Sequence, residues 1–313
     1  MSAEGGMRAI FAALAANLGI AVAKFVAFLF TGSTSMMAES VHSVADSGNQ
    51  ALLLVGRRRA ERPVTPKHPF GYGRERFFYA FIVAVVLFTV GSVFSLYEGW
   101  HKIREPHPVE SPVWAFGVLI FAIGLESFSF WTAIKESNRV RGRYGWVAFV
   151  RRAKAPELPV VLLEDLAALL GLAFAMTGVS LAVVTEDGRW DGAGSMAIGL
   201  LLGAVAVVLA VETKSLLIGE SAHEDVERAI VAALEAGDEV ERVIHLRTEH
   251  IGPEELLVAA KIAVRHDDTA TQVARGIDAA ERRVRDAVPM ARLIYLEPDL
   301  YDAAKQASEA APG

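Results

Sequence analysis

Up to about residue 218 the chain alternates long apolar runs with short charged connections, and then its character changes. A membrane-spanning helix needs roughly 20 mostly apolar residues. Six stretches qualify: 7–30, 36–56, 77–96, 112–131, 159–185 and 191–211. The first reads as a span and not a signal peptide, because it lacks a basic leader and a small-residue cleavage site and holds Lys24 inside. From residue 219 the periodicity is that of a soluble domain. Residues 222–236 place Val226, Ile230, Ala233 and Leu234 at helical spacing. Residues 240–248 and 256–264 read as strands separated by Gly252-Pro253. A second helix over 269–288 carries Val273, Ile277, Ala280 and Val284 on one face, and 291–296 reads as a last strand. The order α-β-β-α-β predicts a small ferredoxin-like sheet with two helices on one face. The expected architecture is therefore an α-helical membrane protein. Six transmembrane helices fill 1–218, a cytoplasmic α+β domain fills 219–298, and 299–313 is expected to be a disordered, Ala-rich tail.

Charge orients this arrangement in the bilayer. The formal net charge of −6 is a composite. The connection after the second span holds Arg57, Arg58, Arg59, Arg62, Lys67, Arg74 and Arg76, and the one after the fourth holds Arg139, Arg141, Arg143, Arg151, Arg152 and Lys154. The turns after the first and fifth spans have no such excess. Basic loops stay in the cytoplasm, which predicts cytoplasmic termini and points to the cell (inner) membrane. With no cysteine in the chain, disulfides, thiolate metal sites and a cysteine nucleophile are excluded. A slightly acidic balance without a basic tail gives no footing for nucleic acid. No metalloprotease or serine-hydrolase motif occurs, so the chain is not expected to be an enzyme.

The chemistry then rests on ionisable groups inside the spans, where each is expensive and functional by default. The second span reads A-E-S-V-H-S-V-A-D-S-G-N-Q, with His42 and Asp46 four residues apart and so on one helix face. An imidazole and a carboxylate so placed make half a divalent-cation site. The fifth span reads V-L-L-E-D-L-A-A, placing Glu164 and Asp165 in an apolar helix. His42 lies nine residues from Ser33 and Asp165 nine from Pro156, entering from opposite ends. Each is thus roughly 13 Å deep in a hydrocarbon core of roughly 30 Å, so both half-sites meet near the midplane. Adjacent Glu164 and Asp165 point about 100° apart: either both coordinate, or one serves packing. Glu39, one turn outside His42, either lines the outer entrance or is interface polarity. Asn17 and Lys24 share a face, and Glu126 in the fourth span either pairs with Lys24 or relays protons.

The run 33–46, the loop motif H-P-F-G-Y-G-R at 68–74, the six spans and the α-β-β-α-β tail together resemble the cation diffusion facilitator family. The E-D pair and L-L-I-G-E at 216–220 look most like its divergent zinc-transporter subgroup, which includes a mitochondrial eukaryotic member. The resemblance implies a homodimer in the lipid bilayer that exports divalent metal in exchange for protons, by alternating access around a midplane tetrahedral site. It implies metal ligands at His42, Asp46 and Asp165. The family's usual fourth ligand, a His four residues before the fifth-span Asp, is Val161 here, leaving Glu164 or a water to fill the position. His68 matches one histidine of the family's loop site, but Tyr72 occupies the other. His223, His245, His250 and His266 match no ligand spacing, and most of them are expected at the surface.

Metal binding to such a site requires neutral His42 and ionised Asp46 and Asp165, so protons leave as metal enters, with His42 as carrier near neutral pH. No prosthetic group is expected. Zinc suits imidazole plus carboxylates, with cobalt, iron or manganese open as cargo. A non-transporting membrane metal sensor or scaffold, acting through its cytoplasmic domain, is the competing reading. It predicts damaged midplane ligands, whereas His42, Asp46 and Asp165 are all present.

Overall fold

The structure, a computed structural model, describes residues 2–31, 34–107 and 112–301, with the side chains of Glu39 and His42 among those outside the description. The expected disordered tail lies outside the described residues beyond 301. Two units separate: one of Met1–Lys67 with Arg74–Leu217, the other of His68–Gly73 with Ile218–Gly313.

The first unit is helical: α1 (Ser2–Thr31), α2 (Thr34–Ala60), α3 (Glu75–Val86), a π-helical segment (Leu87–Val93) running on into α4 (Phe94–Arg104), α5 (Pro112–Val140), the short α6 (Trp146–Arg152), α7 (Glu157–Thr185) and α8 (Arg189–Ile218). Neither α6 nor the π segment is expected from the sequence. Among the described residues, five helices are long and apolar enough to cross a membrane: Gly6–Phe30, Glu75–Arg104, Pro112–Val140, Glu157–Thr185 and Arg189–Ile218. The sixth expected span, α2, is long enough but too polar by that measure, and its burial gives the reason. Ser40, Ser43, Ser47, Asn49 and Gln50 are buried, whereas Val44 and Val55 are exposed. Over 40–50 the helix turns polar groups into the bundle, the arrangement of a membrane helix lining an interior site. Ser40 Oγ, for example, donates to the carbonyl of Ala21 in α1 at 3.0 Å.

Small residues bring the last helices together. A Cβ on Gly99 would stand 2.7 Å from the Gly192 carbonyl oxygen, and Ser92 Oγ donates to the Gly199 carbonyl at 2.8 Å, so α4 and the π segment lie directly on α8. Close backbone approach through small residues is how helices pack where lipid offers no hydrophobic drive.

One half of this unit is sealed. Ile10 and Ala13 of α1, Leu53 of α2, Ala80 and Val83 of α3, Ala133 of α5, Phe149 of α6, Leu158, Val160 and Val161 of α7 and Leu209 of α8 form one apolar cluster. All lie towards the end carrying the basic connections, here called the basic end. Near its rim Arg76 of α3 meets Glu157 of α7 through two parallel hydrogen bonds, Nε to Oε1 and Nη2 to Oε2, the second 2.9 Å long. Their side chains are only 11% and 4% exposed.

The second unit has the expected order: α9 (Glu224–Glu235), β1 (Arg242–Gly252), β2 (Glu255–Ala263), α10 (Ala270–Ala287) and β3 (Ala291–Asp299). β2 is central, antiparallel to β1 and parallel to β3, with Leu246 opposite Ala260 and Val258 opposite Ile294. A parallel pair needs a crossover, and α10 supplies it. Leu256, Val258, Ala260 and Ile262 alternate along β2 and pack with Ile230 and Leu234 of α9 and Ala280 and Val284 of α10. Thr269 caps α10 in a reciprocal box: its backbone N–H donates to Gln272 Oε1 at 2.8 Å, and its Oγ1 accepts from the Gln272 N–H. Thr269→Ala is expected to cost about 1 kcal/mol. Amide hydrogen exchange in the first turn of α10 should then speed up roughly five-fold.

Candidate metal centre

The polar residues of the first unit converge in mid-bundle. A cavity of about 310 Å³ starts at Asn17, Ser43, Asp46, Glu164 and Asp165, passes Glu126 and Lys24, and continues to Glu98, Lys102 and Asp191. None of α7's apolar residues 158–162 lines it. It therefore occupies only the half of the unit away from the basic end, stopping where the apolar cluster begins. At its far end Lys102 Nζ lies 2.9 Å from Asp191 and 4.0 Å from Glu98.

Three of the four sequence-predicted ligands, Asp46, Glu164 and Asp165, line this one cavity. The fourth, His42, lies one turn from Asp46 in α2, on the side away from the basic end, and its side chain is outside the described residues. Among the described residues no three His, Asp or Glu side chains stand close enough together to hold a metal ion. Instead the α7 acids are held by their own chain. Asp165 is 2% exposed, and its Oδ2 accepts from Ser129 Oγ of α5 at 2.7 Å. Glu164 accepts at both oxygens from α2: Asn49 Nδ2 donates to Oε1 and Gln50 Nε2 to Oε2, each at 3.0 Å. Asn17 Nδ2 of α1 donates in turn to Gln50 Oε1 at 3.4 Å. One carboxylate thus joins three helices. The two neighbouring acids of α7 face different helices, as their 100° separation requires.

Sequence reading gave no role to Asn49, Gln50 or Ser129. The available signal was the N-Q pair three and four residues after Asp46: amides on an interior helix face need partners, and a facing acid is the natural one. Val161 is fully buried in the apolar cluster, so no polar group replaces the usual histidine at its position.

In the second unit the His68 and Tyr72 rings lie 4.7 Å apart, so the loop motif brings its two positions together, but with one imidazole only. Of the C-terminal histidines, His245 and His266 are exposed as expected. His250 is not: it is 3% exposed, because it lies on the inward-facing end of β1 where three consecutive residues are buried.

A model of the cation efflux transmembrane domain matches residues 10–218. The "Proton-coupled zinc antiporter SLC30A9, mitochondrial" of Xenopus laevis is 33% identical over 242 residues, covering 76% of this chain and 43% of that protein. Its Homo sapiens counterpart is 31% identical, covering 73% and 41%. "Metal tolerance protein C4" of Arabidopsis thaliana is 31% identical, covering 83% and 57%. The chain spans less than half the length of the zinc antiporters it matches.

Proposed function

The chain belongs to the cation diffusion facilitator family, in the zinc-transporter subgroup with a mitochondrial member, and we propose that it carries divalent metal, zinc foremost, across a membrane in exchange for protons. The family is one of multi-pass membrane transporters and not of enzymes. The observation that carries the proposal is the cavity in the half of the unit away from the basic end, lined by Asp46, Glu164 and Asp165. Buried carboxylates from two helices, at the end of a polar route from one membrane face, suit a cation that arrives or leaves by that face.

In this reading His42, Asp46 and Asp165 bind the ion, and Glu164 supplies the remaining donor. A carboxylate oxygen has more than one lone pair, so Glu164 can keep its amide partners while it coordinates. The charge of its connections supports a basic end that faces the cytoplasm, with the cavity as the route to the outer side. The apolar cluster and the Arg76–Glu157 pair close the inner side. Rocking of the helices about the fixed site then alternates access, and protons replace the metal as it leaves. A homodimer in the cell membrane is the working assembly. The sensor reading is less well supported, since the carboxylates it would leave damaged are intact and line a cavity.

Purified full-length protein in vesicles should take up zinc with counterflow of protons. Zinc compared with manganese sets the selectivity of a carboxylate-rich site lacking the second histidine. Glu164→Gln is expected to weaken zinc binding, read by calorimetry, by more than the roughly 10–100-fold that loss of an outer-shell partner costs. Unchanged affinity would remove Glu164 from the ligand set.

A further inference from the structure

Glu126, on α5, is the cavity residue that neither the apolar packing nor the proposed ligand set accounts for. It is 5% exposed and lines the cavity. Asp165 has Ser129, and Glu164 has two amides. Glu126 has no hydrogen-bond or ion-pair partner within the described residues. The charged groups within electrostatic reach are Lys24 of α1, Asp46 of α2, and Glu164 and Asp165 of α7, and α1 and α7 are the helices against which α5 packs.

A carboxyl group buried in a membrane protein without a donor needs either a proton or a cation to settle its charge. A divalent ion is the poorer match. The ammonium of Lys24, within electrostatic reach of Glu126, opposes a second positive charge there. A proton needs only one carboxyl and a route to water, and the cavity supplies the route.

We propose that Glu126 is a dedicated proton-carrying group of this transporter, acting beside His42 and never ligating the metal. Its carboxylic acid gives its proton to cavity water when a divalent ion settles on Asp46 and Asp165, leaving the carboxylate to face the new positive charge. When the ion departs, a proton from water on the open side restores the acid. The step is a simple exchange, one O–H bond broken on loading and remade on release, driven by charge across the cavity. This inference rests on the metal–proton antiport reading above.

Zinc binding to the full-length protein, titrated in buffers of different ionisation enthalpy, counts the protons released. Glu126→Gln should bind zinc with unaltered stoichiometry and release about one proton fewer per ion. In vesicles its transport should lose most of its response to an opposing proton gradient, and Glu126→Asp should restore both. The same proton count and pH profile in Glu126→Gln as in the wild type would overturn the assignment. So would loss of zinc binding in Glu126→Gln that Glu126→Asp does not restore, which would make Glu126 a ligand. Wild-type protein that binds zinc and releases no proton would overturn the antiport reading itself, together with this inference. Should Glu126→Gln fail to fold, infrared difference spectra of the wild type decide: zinc binding must remove a protonated-carboxyl band, and an unchanged carboxyl region refutes the proposal.

Discussion

Asp46→Asn is expected to abolish metal transport by the reconstituted protein while leaving its fold intact. The side chain lines the cavity and lies outside the apolar cluster that seals the basic end, so the substitution changes charge at the site and leaves the apolar packing unaltered. Asparagine keeps size and shape but replaces an anionic oxygen donor with a neutral amide. A divalent ion leaving water needs anionic ligands to offset its dehydration. Loss of even an outer-shell partner costs about 10–100-fold in metal affinity, and loss of a charged ligand should exceed that. Zinc flux into vesicles and the accompanying proton movement should both fall to the protein-free background, with an unchanged circular dichroism spectrum. Undiminished flux would sink the assignment of the site.

Glu157→Gln carries the largest expected effect on stability. The Arg76–Glu157 pair is almost wholly enclosed, and removing Glu157's charge takes the carboxylate partner away from a buried guanidinium. Breaking such pairs costs about 3–5 kcal/mol, whereas replacing both members with apolar residues of similar volume is often neutral or stabilising. The single variant should therefore unfold at a Tm lower by roughly 10 °C in detergent. The double replacement Arg76→Met with Glu157→Met should recover most of that loss. A single-variant loss below about 1 kcal/mol would mean that the pair is hydrated and behaves like a surface ion pair.

What the sequence conveys about this molecule depends on the range of the interaction. Helix and strand positions follow from local periodicity, so the order α9-β1-β2-α10-β3 emerges with ends shifted by a few residues. The acids of the site stand out because Glu164 and Asp165 interrupt an apolar helix. Partners that are far apart in the chain leave no such mark. Glu164 meets Asn49 and Gln50 across more than 110 residues. Arg76 reads as one more loop cation until its buried partner Glu157, 81 residues on, is seen. The polarity of α2 misleads a measure of apolar content for the same reason: its serines and amides are interior residues whose partners lie on other helices. The burial of His250 follows from the sheet's inward face, and isolated histidine spacing cannot report it.

The π segment at Leu87–Val93 bears on phase along the third span. A π turn holds about one residue more than an α turn, and each residue of an α-helix advances its face by about 100°. The segment therefore acts as a rotary offset between α3, whose Ala80 and Val83 join the apolar seal, and α4, whose Phe94, Ser95, Glu98 and Lys102 line the cavity. A chain one residue shorter there, closing into continuous α-helix, would keep the seal in register and swing the Glu98 and Lys102 wall away from the lumen. Indels in this stretch, which look innocuous in an alignment of apolar residues, are changes of pore lining.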